Sequence, residues 1–251
     1  MEMKFGELQL DNVTTDTGVG GRADLTSPWE RFRASKSYDL LAASPLMLWL
    51  AFCLGTQWPL LISRLTGLLS GKIALIDALQ LAAILGSFSF NVAMIYFLAV
   101  RAKPIGRSRG LLPRITAFAG AFLGNSILLL PATNLTLLTQ IVSNFLIFGG
   151  CSAALFVLTQ LGPAFAMLPE ARQLNTSGPY ALVRHPLYVF ETSIYLGLML
   201  QFQQPWAIIM VGIGILVMYG RSIFEEQVLE QSYPEYGAYR AQTARFIPGI
   251  F

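Results

Sequence analysis

Residues 135–161 read LTLLTQIVSNFLIFGGCSAALFVLTQL, and this stretch, which contains no charged side chain, decides the class of fold. As a helix, a run of this length crosses the hydrocarbon core of a bilayer, which is about 30 Å thick. Soluble domains carry a charge on about a quarter of their residues. The stretch therefore predicts a transmembrane helix.

The remainder of the chain has the same character. Hydrophobic residues make up 54% of the sequence and charged residues 12%. The other apolar stretches are residues 40–62, 73–100, 111–131, 187–202 and 205–220. The first three are long enough to span a bilayer. The last two are about 16 residues each and are separated by Gln203 and Gln204, which predicts a tight helical hairpin. The fold class expected is an all-α integral membrane protein with about six membrane helices.

The polar segments divide the chain into three parts. Residues 1–39 are predicted to form a polar N-terminal tail, and within it residues 1–26 have little hydrophobic periodicity and are predicted to be disordered. Within it, Ser27-Pro28-Trp29-Glu30 has the pattern of a capping box and predicts a short interfacial helix. Residues 40–161 are predicted to hold four transmembrane helices, and residues 162–251 to form the functional core.

One glycine-rich motif lies in the N-terminal tail. Residues 16–21, DTGVGG, resemble a nucleotide-binding loop. Such a loop works between a buried strand and a helix, and neither pattern flanks it here. We therefore interpret the motif as part of the tail.

Basic residues orient the chain in the membrane. They crowd the connection after the second apolar stretch, while the preceding connection offers few. The crowded set is Arg101, Lys103, Arg107, Arg109 and Arg114, and the sparse set is Arg64 and Lys72. By the positive-inside rule, both termini and residues 162–186 are predicted to lie in the cytoplasm. A bacterial inner membrane is the expected location.

The sequence gives no sign of a metal or a nucleic-acid partner. Cys53 and Cys151 lie inside predicted helices and lack the spacing of a metal site. The net charge of +3 shows no basic cluster beyond the membrane asymmetry. We predict no metal site and no nucleic-acid binding.

The chain has a single histidine, His185, between Arg184 and Pro186. A proline keeps the preceding residue out of the helical region and can itself begin a helix. His185 is therefore predicted to stand at the cytoplasmic mouth of the fifth apolar stretch. Tyr188, three residues on, projects near the same helix entrance.

A second polar group follows the sixth apolar stretch, where the helix is predicted to continue beyond the membrane. Arg221 and Glu225 are four residues apart and so share a helix face. The doublet of Glu225 and Glu226 calls for a nearby cation. The tail after it, residues 233–249, is rich in tyrosine, and we expect it to fold back. Residues 172–188 and 221–226 are then predicted to form one pocket at the membrane boundary.

Two further acids lie within apolar stretches. An ionisable group in hydrocarbon is costly and is usually paired or functional. Asp77 is near a helix end, where solvation at the interface accounts for it. Glu191 lies six residues after His185, beside the predicted pocket.

Three motifs carry a resemblance to a known family. These are GPYALVRHPLY at 178–188, RSIFEEQVLE at 221–230 and YPEYGAYRAQTARFIP at 233–248. Together they resemble the C-terminal half of the isoprenylcysteine carboxyl methyltransferase family, to which phospholipid N-methyltransferases are similar. The resemblance covers about residues 165–250. It implies a membrane enzyme that uses S-adenosylmethionine.

The resemblance also assigns residues. The cofactor contacts fall on Arg172, Gln173, Leu174, Asn175, Tyr180, His185, Pro186, Leu187, Tyr188 and Glu225. Arg221 falls where the family holds the carboxylate of the methyl acceptor. A thiol or amine acceptor must lose a proton, and Glu191 or Glu226 could accept it.

The predicted function is methyl transfer from S-adenosylmethionine to a lipophilic or small acceptor with a carboxylate, thiol or amine, at the cytoplasmic face. Membrane lipids surround the site, and lateral access favours a lipid-like acceptor. Two alternatives remain open. The acid at Glu191 resembles that of membrane sterol reductases, which use a reduced nicotinamide, and a non-catalytic membrane protein would use the same charged pairs structurally.

Overall fold

The protein is described by a computed structural model over residues 27–33, 35–71, 74–108 and 110–249. The predicted tail at 1–26 with its glycine-rich motif, together with Lys72 and Arg109, lies outside the described residues. The structure is 74% helical. The prediction of a helical membrane protein is confirmed at this level.

Eight helices and two short strands are described, in the following order. They are α1 (Pro28–Arg33), α2 (Lys36–Leu69), α3 (Leu75–Val100), β1 (Gly106–Arg107), α4 (Leu112–Ser126), α5 (Leu137–Leu161), β2 (Glu170–Ala171), α6 (Pro186–Met199), α7 (Trp206–Ser232) and α8 (Tyr236–Gln242). The strands pair antiparallel, with Gly106 opposite Ala171.

Four of these helices, α2, α3, α5 and α7, are long and apolar enough to cross a membrane. Their outward faces carry large apolar side chains that are mostly exposed, such as Leu48, Phe145 and Leu216 at about 70%. In water such a surface would aggregate, whereas lipid covers it without cost. The long helices are therefore built for a bilayer.

One apolar stretch forms a shorter helix than predicted, and another continues as a longer helix. The stretch at 111–131 was expected to span, but α4 has 15 residues and is followed by a 3-10 turn at Ile127–Leu129. Leu130 is extended because Pro131 follows it and disfavours the helical region. The stretch at 205–220 was expected to continue as a helix beyond the membrane, and α7 does so over 27 residues to Ser232.

Helix α5 lies at the centre and packs against α3 and α6, while α2 packs against α3 and α4 against α7. The contact between α5 and α6 depends on glycine. A methyl group at Gly197 would come within 2.7 Å of Ile147 Cγ1, and one at Gly150 within 2.8 Å of Ile194 Cγ1. Small residues allow membrane helices to approach this closely.

The C-terminal tail runs back to the beginning of α6. The backbone of Val183 bridges to Ala244 in parallel, and Arg184 N–H donates to the carbonyl of Ala244 at 2.8 Å. Residues from both ends of the functional core thus meet at one end of the bundle.

Candidate active site

His185 stands immediately before the first residue of α6. Pro186 occupies the first helical position, and the backbone of His185 is non-helical, with φ −127° and ψ 59°. Its N–H donates to the carbonyl of Arg245 at 3.1 Å. The imidazole stacks on Tyr188, with ring centres 5.4 Å apart, and contacts Phe246 at 5.7 Å. The ring is therefore held by both α6 and the tail.

Glu225 on α7 joins this cluster from the opposite side. Tyr188 Oη donates to Glu225 Oε1 at 2.6 Å, and Arg221 Nε donates to the same oxygen at 2.9 Å. The other oxygen lies 3.8 Å from His185 Nδ1. The Arg221 guanidinium lies over the Tyr188 ring, 5.3 Å from its centre. The two predicted segments do converge.

Glu226, the next residue, has a different environment. Arg184 Nε, Arg245 Nε and His185 Nε2 lie 2.9, 3.0 and 3.1 Å from its Oε1, and Arg245 Nη2 lies 2.8 Å from its Oε2. The hydrogen bonds to Glu226 raise the pKa of Arg245. Both carboxylate oxygens of Glu226 are thus engaged by the protein itself.

A cleft of about 110 Å³ opens between these elements. Its lining includes every predicted cofactor residue except Pro186, namely Arg172, Gln173, Leu174, Asn175, Tyr180, His185, Leu187, Tyr188 and Glu225. Arg221 lines it as well, whereas Glu226 does not. The residues that the resemblance assigns to the cofactor therefore line one cleft, apart from Pro186.

The loop before α6 is shaped by Asn175. Its Nδ2 donates to the carbonyl of Gln160 at 3.0 Å, and its Oδ1 accepts from Ser177 N–H at 3.1 Å. This side chain ties the loop to the end of α5, so that Gln173 and Leu174 are presented along the cleft.

Two buried polar atoms beside the cleft lack a hydrogen-bond partner within the described part of the chain, Tyr236 Oη and Arg172 Nε. Both residues line the cleft. Buried polar groups are nearly always satisfied, so these two donors suit a polar ligand. A small molecule rich in hydrogen-bonding groups fits the donor set.

Protonated phenols complete the cleft wall. Burial raises the pKa of Tyr180 and Tyr236, and raises the pKa of Tyr239 to about 12. Tyr239 Oη donates to the carbonyl of Tyr180 at 2.6 Å. These hydroxyls therefore remain donors at neutral pH.

A larger cavity of about 450 Å³ lies between the membrane helices, next to the cleft. The two share four lining residues, Phe165, Leu187, Tyr188 and Arg221. Glu191 lines the larger cavity and is absent from the lining of the cleft. Arg221 thus stands between the cleft beside Glu225 and a cavity between the membrane helices.

Residues 131–236 match the family model of the phospholipid methyltransferases. This part of the chain is therefore similar to the phospholipid methyltransferases. The match covers α5, α6 and α7 and so includes both sides of the cleft. The resemblance drawn from the motifs is confirmed over this segment.

Two curated proteins are similar over part of the chain. The cobalt-zinc-cadmium resistance protein CzcN of Cupriavidus metallidurans is 36% identical over 78 residues, covering 31% of this chain and 36% of that protein. The nickel-cobalt-cadmium resistance protein NccN of Alcaligenes xylosoxydans xylosoxydans is 28% identical over 111 residues, covering 39% of this chain and 52% of that protein. The chain therefore spans about half or less of the length of these relatives.

The cleft is bordered by an ion-pair network that the sequence did not reveal. Arg172 Nη2 lies 2.7 Å from Asp39 Oδ1 and 2.6 Å from Glu170 Oε2, and Arg172 also donates to the carbonyl of Ala102. Arg101 Nε lies 2.8 Å from Asp39 Oδ2. The sequence analysis assigns Asp39 to the polar tail. The available signal was that Asp39 directly precedes the apolar stretch at 40–62 and Arg101 directly follows the next one at 73–100.

Proposed function

We propose that the protein transfers a methyl group from S-adenosylmethionine to a lipophilic or small acceptor at the membrane boundary. The observation that carries the proposal is a pair of neighbouring cavities that share Arg221 and Tyr188, one with charged and tyrosine side chains at the end of the bundle and one between membrane helices. Such a pair suits a water-soluble donor and a lipid-soluble acceptor. The similarity to the phospholipid methyltransferases supports the same chemistry.

The cleft residues would hold the cofactor. Bound there, S-adenosylmethionine supplies an electrophilic methyl group on a positively charged sulfur. Glu225 offers a carboxylate that balances cationic charge, and Tyr236 Oη and Arg172 Nε offer donors to its polar groups. His185 and Tyr188 form a flat aromatic wall along the cleft. Holding the reactants in line can supply much of the barrier reduction.

The larger cavity would take the acceptor. Arg221 is neutralised by Glu225 but still reaches the shared wall, where it can orient a polar head group. Glu191 lines the same cavity and is placed to accept a proton from a thiol or amine as the new bond to carbon forms. A carboxylate acceptor would need no such base. Closure of the space to bulk water would favour reaction between opposite charges.

Glu226 serves the site in a different way in this proposal. Its carboxylate is occupied by two guanidinium groups and the imidazole, and it lines neither cavity. We assign it a positioning role, in which it fixes His185 and anchors the tail through Arg245.

The proposed setting is a bacterial inner membrane, with both termini and the cleft on the cytoplasmic side. The cluster of Arg101, Lys103, Arg107 and Arg114 lies on the same side as the cleft, since Arg101 bonds to Asp39 and thereby to Arg172. The positive-inside rule then puts the cleft where cytoplasmic cofactor is available.

The decisive experiment is calorimetric titration of the detergent-purified protein with S-adenosylhomocysteine and, separately, with a reduced nicotinamide. We expect micromolar binding of the first that is lost in His185→Ala and Glu225→Ala. Glu230→Ala is the matched control, because Glu230 is an exposed α7 glutamate paired with Arg240 at the surface. Binding of the nicotinamide alone would instead favour a reductase, and binding of neither would favour a non-catalytic protein.

A further inference from the structure

The intramembrane cavity is long. Its lining on α2 runs from Leu46 to Arg64, 18 residues apart, and on α3 from Gln80 to Met94, 14 residues apart. At 1.5 Å per residue these are lengths of about 27 and 21 Å. The cavity therefore runs through most of a hydrocarbon core that is about 30 Å thick. A ligand that fills it must be elongated.

The end remote from Arg221 is lined by four glutamines from four parts of the fold. Gln57 is on α2, Gln80 near the start of α3, Gln140 near the start of α5, and Gln201 just after α6. Gln201 Nε2 donates to Ser143 Oγ at 2.7 Å, and Gln57 Oε1 accepts from Ser87 Oγ at 3.3 Å. A cavity meant only for a hydrocarbon tail has no use for such a lining.

One of the four amides has an unused acceptor. Gln80 Oε1 is buried and finds no hydrogen-bond partner among the residues that the structure describes. A buried acceptor of this kind calls for a donor from outside the protein. The charge at this end is already balanced, because Arg64 Nη1 lies 2.6 Å from Asp77 Oδ1. An uncharged donor would satisfy Gln80 without adding an unpaired charge at this end of the cavity.

We propose that the cavity binds an elongated amphiphile whose far end carries an uncharged hydrogen-bond donor, a hydroxyl or an amide N–H, which meets Gln80. The identity of this ligand as the methyl acceptor rests on the proposed function. Its nucleophile then lies beside Arg221 and its donor group lies among the glutamines. The class is a long-chain molecule that is polar at both ends.

The test compares two probes that differ only at the far end, 16-hydroxyhexadecanoate and hexadecanoate, whose shared carboxylate favours the end beside Arg221. Each radiolabelled probe is titrated into the full chain in lipid nanodiscs, and partitioning into empty nanodiscs is subtracted. We expect the hydroxylated probe to bind about tenfold more tightly, the scale of one added hydrogen bond to a buried partner. Equal affinity of the two probes would overturn the proposal, because a water molecule would then satisfy Gln80.

Variants locate the effect. Gln80→Leu and the less disruptive Gln80→Met should bind both probes equally, while Gln242→Leu, an exposed position outside the cavity, should keep the preference for the hydroxylated probe. A preference that survives in the Gln80 variants would refute the assignment. Titration with S-adenosylhomocysteine on the same samples keeps the two proposals separate, since probe binding is measured without cofactor.

Discussion

Glu191 and Glu226 are both acids near the shared wall, and their surroundings separate their roles. Glu226 is 3% exposed, and each of its oxygens accepts from a guanidinium group. Glu191 faces the larger cavity, beside Arg221 and Tyr188. Only the second of these carboxylates is open to a proton from an acceptor.

Glu191→Gln should abolish proton acceptance while leaving the cleft intact. With a thiol or amine probe such as hexadecanethiol or hexadecylamine, we expect kcat to fall by about a hundredfold or more, the usual contribution of a general base. The affinity for S-adenosylhomocysteine should not change. Radiometric methyl transfer and calorimetry measure the two quantities, and an unchanged kcat would remove Glu191 from the mechanism.

Glu226→Gln should instead weaken the structure of the site. Arg184 and Arg245 would lose the charge that neutralises them, and loss of one partner from a buried ion pair costs about 3 kcal/mol or more. We expect a lower thermal midpoint and weaker binding of S-adenosylhomocysteine, with partial recovery in Glu226→Asp. A variant of full stability and affinity would show that the tail does not need this anchor.

At the scale of elements, the close contact of α5 with α6 holds the site in place, because α6 begins at the cleft. Gly197→Ala would put a methyl group 2.7 Å from Ile147 Cγ1 and 2.9 Å from the carbonyl of Ser143. Overpacking of this kind costs about 1–3 kcal/mol. We expect a lower thermal midpoint in detergent.

Gly212→Ala is the matched control for that contact. Gly212 is also within a membrane helix, and a methyl group there would meet no atom within 4 Å. Alanine favours the helix more than glycine does, so this variant should be at least as stable as the parent. A similar loss of stability in both variants would mean that the α5–α6 contact is not special.

The connection between α2 and the cleft gives a further prediction. Asp39 neutralises Arg101 and Arg172, whose side chains are almost fully buried. In Asp39→Asn the two guanidinium groups would repel each other, and Arg172 would move at the cleft wall. We expect the Kd for S-adenosylhomocysteine to rise about tenfold or more, with a smaller change in kcat.

Asp77→Asn is the control, because it breaks a partly exposed ion pair with Arg64 at the opposite end of α2 and α3. Such pairs contribute about 0–1 kcal/mol. Affinity for S-adenosylhomocysteine should be unaffected. If Asp39→Asn behaves like Asp77→Asn, α2 does not position the cofactor residues.

The sequence predicted what depends on short range and on composition. Pro186 specified the start of α6, and the motifs around His185 and Glu225 specified residues that line one cleft. The length of α4 was missed because the influence of Pro131 on Leu130 outweighs the hydrophobicity of the stretch. The Asp39 network and the four glutamines of the larger cavity were missed because each set joins residues that are far apart in the chain.

At the scale of the whole molecule, the proposed orientation can be tested by labelling. Asn134 and Glu235 are both exposed, at opposite ends of the bundle, and the native Cys53 and Cys151 are buried. In intact bacterial cells, a membrane-impermeant maleimide should label Asn134→Cys and reach Glu235→Cys only after lysis. The reverse pattern would put the cleft outside the cytoplasm.

Among the described residues, the cleft and the larger cavity share four lining residues, and this closeness has a consequence for inhibitor chemistry. A single compound that links an adenosine group through a short spacer to a long hydroxyl-tipped alkyl chain would occupy both chambers at once. It would gain the affinity of two weak ligands while losing the freedom of only one molecule. Shortening or lengthening the spacer would then act as a ruler for the distance between donor and acceptor.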